Sequence, residues 1–423
     1  MLKIYVSRKG IFEWMFCIMI LLYMQPFFTW NTYKYGSFFQ ILSIALLIIS
    51  IILLMKEEIG QLITNISALL LIILLLYVYF VGEESQIGSW GVLLQYIFIF
   101  LLFLSSSELK LNVFEKYRKL FAILLIPGII SFLLLIIGIN LPHNVISDYV
   151  SGRNLVYIHY PFSVLRAGIY SIGSPSMRFC GFLNEPGDIG TNCALLFCIR
   201  KCKVKDWSDF TILIAGLLSL STAFFLIIFL YIIAKYLLSN KDKISVKKFF
   251  TFIMVCTALI IILIYKRDFV SNIYNEVVLK KIKTGDFRDS ASALTTIKTN
   301  FFNHFDKFLF GQGYYSFSKH GLTGYSIVNL MFDIGIIGIL ILVTFILSIK
   351  PKNIEDNFQY IRLFKIIFIL SMIQRPYIVT IPYMFILFSG IEYISFFGPN
   401  TTGERDYENS SSNTSASRIS RNS

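Results

Sequence analysis

Charge is short in this chain: 15% of its 423 residues are Asp, Glu, Lys or Arg, against about 25% in soluble globular proteins. That shortage, with 56% hydrophobic residues and a mean hydropathy of +0.69, excludes a soluble globular domain. Histidine is scarcer still, at four residues, and the six cysteines are scattered singly. Cys17, Cys193, Cys198 and Cys256 fall inside apolar runs, Cys202 in a basic loop and Cys180 alone in a polar one, so no disulfide framework or paired zinc motif is spelled out. The spacing of Cys193, Cys198 and Cys202 can be read as metal ligation, but thiols in apolar helices are more often small packing residues. The net charge of +13 is spread over short loops and forms no single basic face, which argues against nucleic acid as a partner.

Apolar runs fill the space that charge leaves. A helix needs about 20 residues to cross a bilayer, and twelve runs approach that length: 11–30, 38–55, 62–81, 90–105, 120–139, 186–200, 209–220, 222–238, 249–265, 324–348, 361–374 and 377–396. The expectation is an all-α integral membrane protein, one polytopic domain over 1–399 with about 12 transmembrane helices. Lys3, Arg8 and Lys9 precede the first run with no small-residue cleavage site after it, which reads as a retained signal anchor. Residues 400–423, rich in Ser, Asn and Thr, read as a disordered cytoplasmic tail.

Charge also decides how the 30-residue apolar stretch around Leu218-Ser-Leu-Ser-Thr222 divides. Splitting it puts Lys56, Lys110, Lys116, Arg118, Lys119, Arg200, Lys201, Lys203, Lys205, Lys241, Lys243, Lys247, Lys248, Lys350 and Lys352 on one side, with the basic N-terminus. The opposing short loops then hold only Lys34 and Arg375. This asymmetry matches the positive-inside rule, makes both termini cytoplasmic and turns two long loops, 140–185 and 266–323, outward.

Those loops hold all four histidines (His143, His159, His304, His320) and the arginines Arg153, Arg166, Arg178, Arg267 and Arg288. The first ends in Arg178-Phe-Cys-Gly-Phe-Leu-Asn-Glu-Pro-Gly-Asp-Ile-Gly190 and runs into the sixth span, with Pro186 suited to a first helical turn. Glu185 and Asp188 lie near that helix's positive end, and two readings stand: a capped helix start, or carboxylates placed for chemistry. Arginines can chelate phosphate in a bidentate fashion and tyrosines such as Tyr157, Tyr160 and Tyr170 offer faces to sugar rings. The alternative is an amphipathic loop resting on the membrane. The second loop carries Arg288, His304 and the run Gly311-Gln-Gly313 to His320, in which a histidine is either structural or a general base. Asp333 and Arg375 stand out as ionisable groups close to the membrane.

Taken together, these segments resemble bacterial polysaccharide polymerases of the Wzy type and the related O-antigen ligases. The pieces that match are RFCGFLNEPGDIG, like an Arg-x-x-Gly-x-x-x-Glu-Pro signature, the LSLST break, and the stretch from Arg288 through FLFGQG and His320 to DIGIIG. The resemblance implies a GT-C-like bundle in the bacterial inner membrane. It implies metal-independent glycosyl transfer, without a cofactor, that joins undecaprenyl-diphosphate-linked oligosaccharide repeats into O-antigen or capsule on the outer face. A flippase and a chain-length regulator would be partners, beside membrane lipid. Carried over, Arg178 and Arg288 bind the diphosphate with Arg166 and Arg375 behind them, and His320, ahead of Glu185, is the base. Arg178 reaches Gly190 after eleven residues where some members have ten, and Arg288 has no such glycine. An O-antigen ligase and a lipid-linked oligosaccharide flippase are the alternatives.

Overall fold

A computed structural model describes residues 8–30, 33–56, 66–81, 89–139, 141–150, 153–160, 162–166, 178–238, 304–313, 316, 327–351, 357–372, 375 and 379–397. The described chain is mostly helical: α1 (Arg8–Leu22), α2 (Gly36–Met55), α3 (Ile66–Phe80), α4 (Trp90–Leu104), α5 (Ser107–Ile137), α6 (Pro186–Ile199), α7 (Trp207–Leu218), α8 (Thr222–Leu238), α9 (Phe305–Phe310), α10 (Ile327–Ser348), α11 (Phe358–Ser371) and α12 (Ile381–Phe396). Eleven of the predicted spans overlap one of these helices, and α5 begins thirteen residues before its span, so Lys110, Lys116, Arg118 and Lys119, expected in a loop, are helical. The ninth, 249–265, lies outside the described residues, as does the tail.

Three helices, Gly36–Met55, Ser107–Ile137 and Asn329–Ser348, are long and apolar enough to cross a membrane; Ile66–Phe80, Trp90–Leu104, Trp207–Leu218, Thr222–Lys235 and Ile381–Phe396 are apolar but shorter. Large apolar side chains such as Ile41, Ile44, Ile48, Ile52, Leu69, Leu76, Ile126 and Ile130 stay exposed, a surface that suits lipid and not water. This is a helical membrane protein. The first predicted run is shortened because the chain leaves α1 at Gln25 (φ 54°) and Pro26 for a 3-10 turn, Phe27–Thr29.

The expectation of an all-α chain is corrected in the first long loop. Residues 144–181 contain a four-stranded antiparallel sheet in the order β1 (Asn144–Val150), β2 (Arg153–Tyr160), β3 (Ser163–Arg166), β4 (Arg178–Gly181). Its strands are rich in Val, Ile, Leu and Tyr, residues whose side chains pack well on a pleated surface. Phe179 and Phe182 anchor it to the bundle, with ring centroids 5.9 Å from Phe132 and 5.3 Å from Phe121.

Local chemistry sets the helix ends. The Ser106 hydroxyl accepts from Leu109 N–H at 3.2 Å to start α5, which Gly138 ends at φ 93°. Between α7 and α8 the backbone turns at Leu220 (φ 46°), where Ser219 Oγ donates to Gly216 O at 2.7 Å. The long apolar stretch is therefore two helices, as the charge pattern required. Gly190 of α6 packs against this turn so closely that a Cβ would overlap Ser221.

Contacts sort the helix ends into two groups. At one end Lys9 pairs with Glu108 (2.6 Å), and lysines donate to carbonyls at or just past helix C-termini: Lys110 to Phe103 (2.7 Å), Lys201 to Phe397 (2.6 Å), Lys235 to Lys201 (3.0 Å), Lys365 to Leu347 (3.0 Å). Carbonyls at helix C-termini lack intrahelical donors and carry the negative end of the dipole, so a lysine there satisfies both. The opposite end holds the sheet, the α1–α2 turn, where Phe27 N–H donates to Phe182 O at 3.0 Å, and α9 with the start of α10.

At that second end two glycines interlock. Gly311 (φ 79°) follows α9 and Gly335 (φ 64°) breaks α10, and a Cβ on either would strike the backbone of the other. Gln312 and Gly313 N–H donate to the Phe332 and Asp333 carbonyls at 2.9 Å, and the Tyr77 hydroxyl donates to Phe310 O (2.9 Å) and Ile334 O (3.0 Å). The break in α10 thus leaves those carbonyls paired, which a lipid environment demands. Gly335→Ala should destabilise the protein by about 1–3 kcal/mol from backbone strain alone, with the overlap added. Thermal unfolding in detergent reads this, and a wild-type midpoint would contradict it.

Candidate functional site

The site grows out of β4. Its strand passes through Gly181 (φ 61°), packed under Leu125, and delivers the buried Phe182 and Leu183 before α6 begins at Pro186. Because that segment is fixed at Phe27, Phe121 and Phe132, Glu185 has little freedom. Its backbone is extended (φ −133°, ψ 137°) and its side chain makes no helix cap.

The Glu185 carboxylate instead meets Arg375, which follows α11: Nη1 donates to Glu185 Oε2 at 2.9 Å and lies 3.0 Å from Asp188 Oδ1. Burial alone would lower the Arg375 pKa, but Asp188 and Glu185 outweigh it and raise it, so the guanidinium stays charged. Here one guanidinium meets two carboxylates at the positive end of the α6 dipole. Gly187 makes the approach possible, since a Cβ there would overlap Arg375 Nη2.

One helical turn deeper, Asn192 Nδ2 donates to Asp188 O at 2.8 Å, and Tyr383 of α12 brings its hydroxyl beside the same amide. Glu185, Asp188 and Asn192, spaced three and four apart, form a polar stripe on one face of α6. The rest of α6 is wholly buried and apolar or small. Among the described residues, no three His, Cys, Asp or Glu side chains gather where a metal ion could sit.

The sequence-predicted residues divide accordingly. Glu185 and Arg375 come together. Arg166 and Arg178 are backbone partners across β3 and β4. Arg288 and His320 lie outside the described residues. Arg375, expected beside a diphosphate, has its charge already met by two carboxylates. Asp333 is buried and accepts from Ser316 Oγ at 3.1 Å.

Sequence reasoning missed a second charged cluster, at the lysine-rich end. Arg118, 1% exposed, donates to Asp206, Ser208, Asp209 and Glu115, while Arg200 reaches Asp209 (3.1 Å) and the Tyr393 hydroxyl. Asp206 caps α7 by accepting from Asp209 N–H at 3.0 Å. The capping spacing Asp206-x-x-Asp209 was the available signal, with Arg200 only six to nine positions before it; Arg118, 88 and 91 positions away, had none.

In comparisons with known proteins, no protein-family model, no curated protein and no solved structure matches the chain.

Proposed function

We propose that this protein is a glycosyltransferase of the polysaccharide-polymerase kind, which joins undecaprenyl-diphosphate-linked oligosaccharide repeats into O-antigen or capsule at the outer face of the bacterial inner membrane. The single observation that carries the reading is the segment 178–192. It leads from a strand-paired arginine to a rigid Glu-Pro-Gly-Asp entry into a buried helix, locked by a distant arginine. The twelve-span arrangement with both termini cytoplasmic belongs to the same proposal. Its support is the gathering of lysines at the end of the bundle opposite the sheet.

In this reaction an acceptor hydroxyl attacks the anomeric carbon and the lipid diphosphate departs with the electron pair of the broken C–O bond. Charge grows on the leaving oxygen, so cations placed there lower the barrier. Arg178 and Arg288 take that role, with Arg166, the partner of Arg178 across the strands, beside them. His320 serves as base ahead of Glu185. Arg375 acts as a positioning residue that fixes Glu185.

Arg178→Ala and Arg288→Ala should each abolish chain growth, and Arg178→Lys should restore little because a lysine cannot grip two phosphate oxygens at once. Polymer ladders from purified protein with lipid-linked repeats read the outcome, and normal length distributions from both alanine variants would refute the assignment. One observation favours a second reading, a transporter: ion clusters lie inside the bundle at both ends of α6. Translocation of lipid-linked oligosaccharide by the purified protein, with no polymer formed, would select it.

A further inference from the structure

Three packed helices pass from polar to apolar at one level near the lysine-rich end. On α5 the last charge is Lys119, and residues 120–137 carry none; on α7 none follows Asp209, and on α1 none follows Glu13. α5 is fixed between the other two: Asn112 Nδ2 donates to Glu13 Oε1 at 3.0 Å on the α1 side, and Arg118 Nη1 donates to Asp209 Oδ1 at 2.7 Å on the α7 side. The boundary therefore lies at a common depth on all three. A helix of 31 residues is about 46 Å long, more than the ~30 Å hydrocarbon core of a bilayer, so the first turns of α5 stand in the headgroup layer and beyond.

At that depth α5 turns an open face outward. Lys119, Ile123, Ile126, Ile130 and Leu133 are exposed and recur every three or four residues, so one cation heads an apolar stripe. Exposed tryptophans stand at the same boundary on the neighbouring helices: Trp14 of α1, whose ring centroid is 5.7 Å from Lys116 Nζ, and Trp207 at the start of α7. Indole rings favour the layer where headgroups meet acyl chains. Lys203, also exposed, sits on the turn from α6 to α7, which is pinned where Cys202 N–H donates to Phe197 O at 2.9 Å and Lys205 N–H to Asp209 Oδ2 at 3.1 Å. The acids of this region have partners already, Glu13 in Lys116 and Glu115, Asp206 and Asp209 in Arg118 and Arg200. Lys119 and Lys203 have no ion pair among the described residues.

We propose that this face binds an anionic phospholipid, its headgroup phosphate held by Lys119 and Lys203 and an acyl chain lying along Ile123, Ile126 and Ile130 of α5. Lysines at the membrane surface that no acid neutralises attract anionic headgroups. A free phosphate would find only two exposed ammoniums, whereas a lipid adds the apolar stripe that runs on below them. A soluble protein partner could not follow that stripe into the bilayer. The site lies at the end of the bundle opposite the sheet, so it is independent of the glycosyl transfer proposed there. Bound lipid stabilises the folded chain by mass action.

Native mass spectrometry of the full-length protein in detergent, titrated with dioleoyl phosphatidylglycerol and separately with dioleoyl phosphatidylcholine, counts bound lipids and gives the Kd of the first. The wild type should hold phosphatidylglycerol about twentyfold more tightly than phosphatidylcholine, about fivefold for each of two lysines beside an anionic headgroup. Lys119→Gln and Lys203→Gln should each weaken phosphatidylglycerol about fivefold and leave phosphatidylcholine within about twofold. Both changes fall on exposed side chains, so unfolding midpoints in phosphatidylcholine nanodiscs should stay at the wild-type value. The control with the same loss of charge is Lys56→Gln with Lys350→Gln, exposed lysines that follow α2 and α10, and it should keep wild-type affinity. An equal loss in that control would show general attraction to anionic lipid and overturn the site. Glycerol phosphate that competes as well as the lipid at the same concentration would overturn the acyl stripe and with it the choice of a lipid. No preference for phosphatidylglycerol in the wild type would overturn the proposal and leave the face to a protein partner.

Discussion

Arg118→Ala is expected to destabilise the protein by about 3–5 kcal/mol, the loss that follows when one partner of a buried charge network is removed. The guanidinium spends both terminal nitrogens: Nη1 on Asp206 Oδ1 (2.9 Å), Ser208 Oγ (2.6 Å) and Asp209 Oδ1 (2.7 Å), Nη2 on Glu115 Oε2 and Asp206 Oδ2 (2.7 Å each). Without it, Arg200 is left facing Glu115, Asp206 and Asp209, and Asp209 is fully buried. Lysine should rescue little, because an ammonium cannot serve five acceptors spread around a plane.

The pH dependence has a definite sign. Burial pushes the Asp206 carboxyl up, but hydrogen bonds from Arg118 and Ser208 outweigh it and hold the group well below the usual carboxylate range. Such a group contributes stability that is complete above its unfolded pKa of about 3.9 and is lost as pH falls toward the folded value. The gap between wild type and Arg118→Ala should therefore be full at pH 6 and narrow below about pH 4. Unfolding midpoints in detergent across that range read both claims, and a gap independent of pH would reject the assignment to Asp206.

Why the sequence foretells some of this and not the rest follows from the range of the interactions. Apolar runs report burial in lipid residue by residue, so eleven of the predicted spans overlap helices, and alternating loop charge locates the Leu218–Thr222 break. Pro186 marks the start of α6 because proline fits only a first turn. The sheet escapes a reading by apolar runs because the apolar residues of 144–160 come in short groups, Val145-Ile146, Tyr149-Val150 and Leu155 to Ile158, too short for a span and without strict alternation; Tyr157 and Tyr160, expected as faces for a ligand, are buried in the fold. The ion pairs escape for a different reason. Glu185 and Arg375 are 190 positions apart, and neither has a local pattern that names the other. Arg118 and Arg200, which mark the membrane side in the charge pattern, are also the centre of a buried network.

Gly187→Ala is expected to stop chain growth or cut it at least about a hundredfold, the scale set by small misplacements of catalytic groups. Two opposed effects meet at one methyl group. Gly187 stands in the first turn of α6, where alanine is the better helix former by about 1 kcal/mol. On propensity alone the variant would be more stable than the wild type. Against this, the new Cβ would overlap Arg375 Nη2 and come within 3.0 Å of its Cζ. An exposed arginine would swing aside at small cost. Here the guanidinium is buried and held by Glu185 (2.9 Å) and Asp188 (3.0 Å), so moving it breaks a buried ion pair, at about 3–5 kcal/mol. The broken ion pair outweighs the gain in helix propensity: stability falls, Glu185 loses its anchor, and the α6 entry loosens. Gly91→Ala in the first turn of α4 is the control, because nothing lies within 4 Å of its Cβ position; it should leave unfolding unchanged or raise the midpoint slightly. If Gly187→Ala also raised the midpoint, Arg375 would not be held where its two carboxylates hold it.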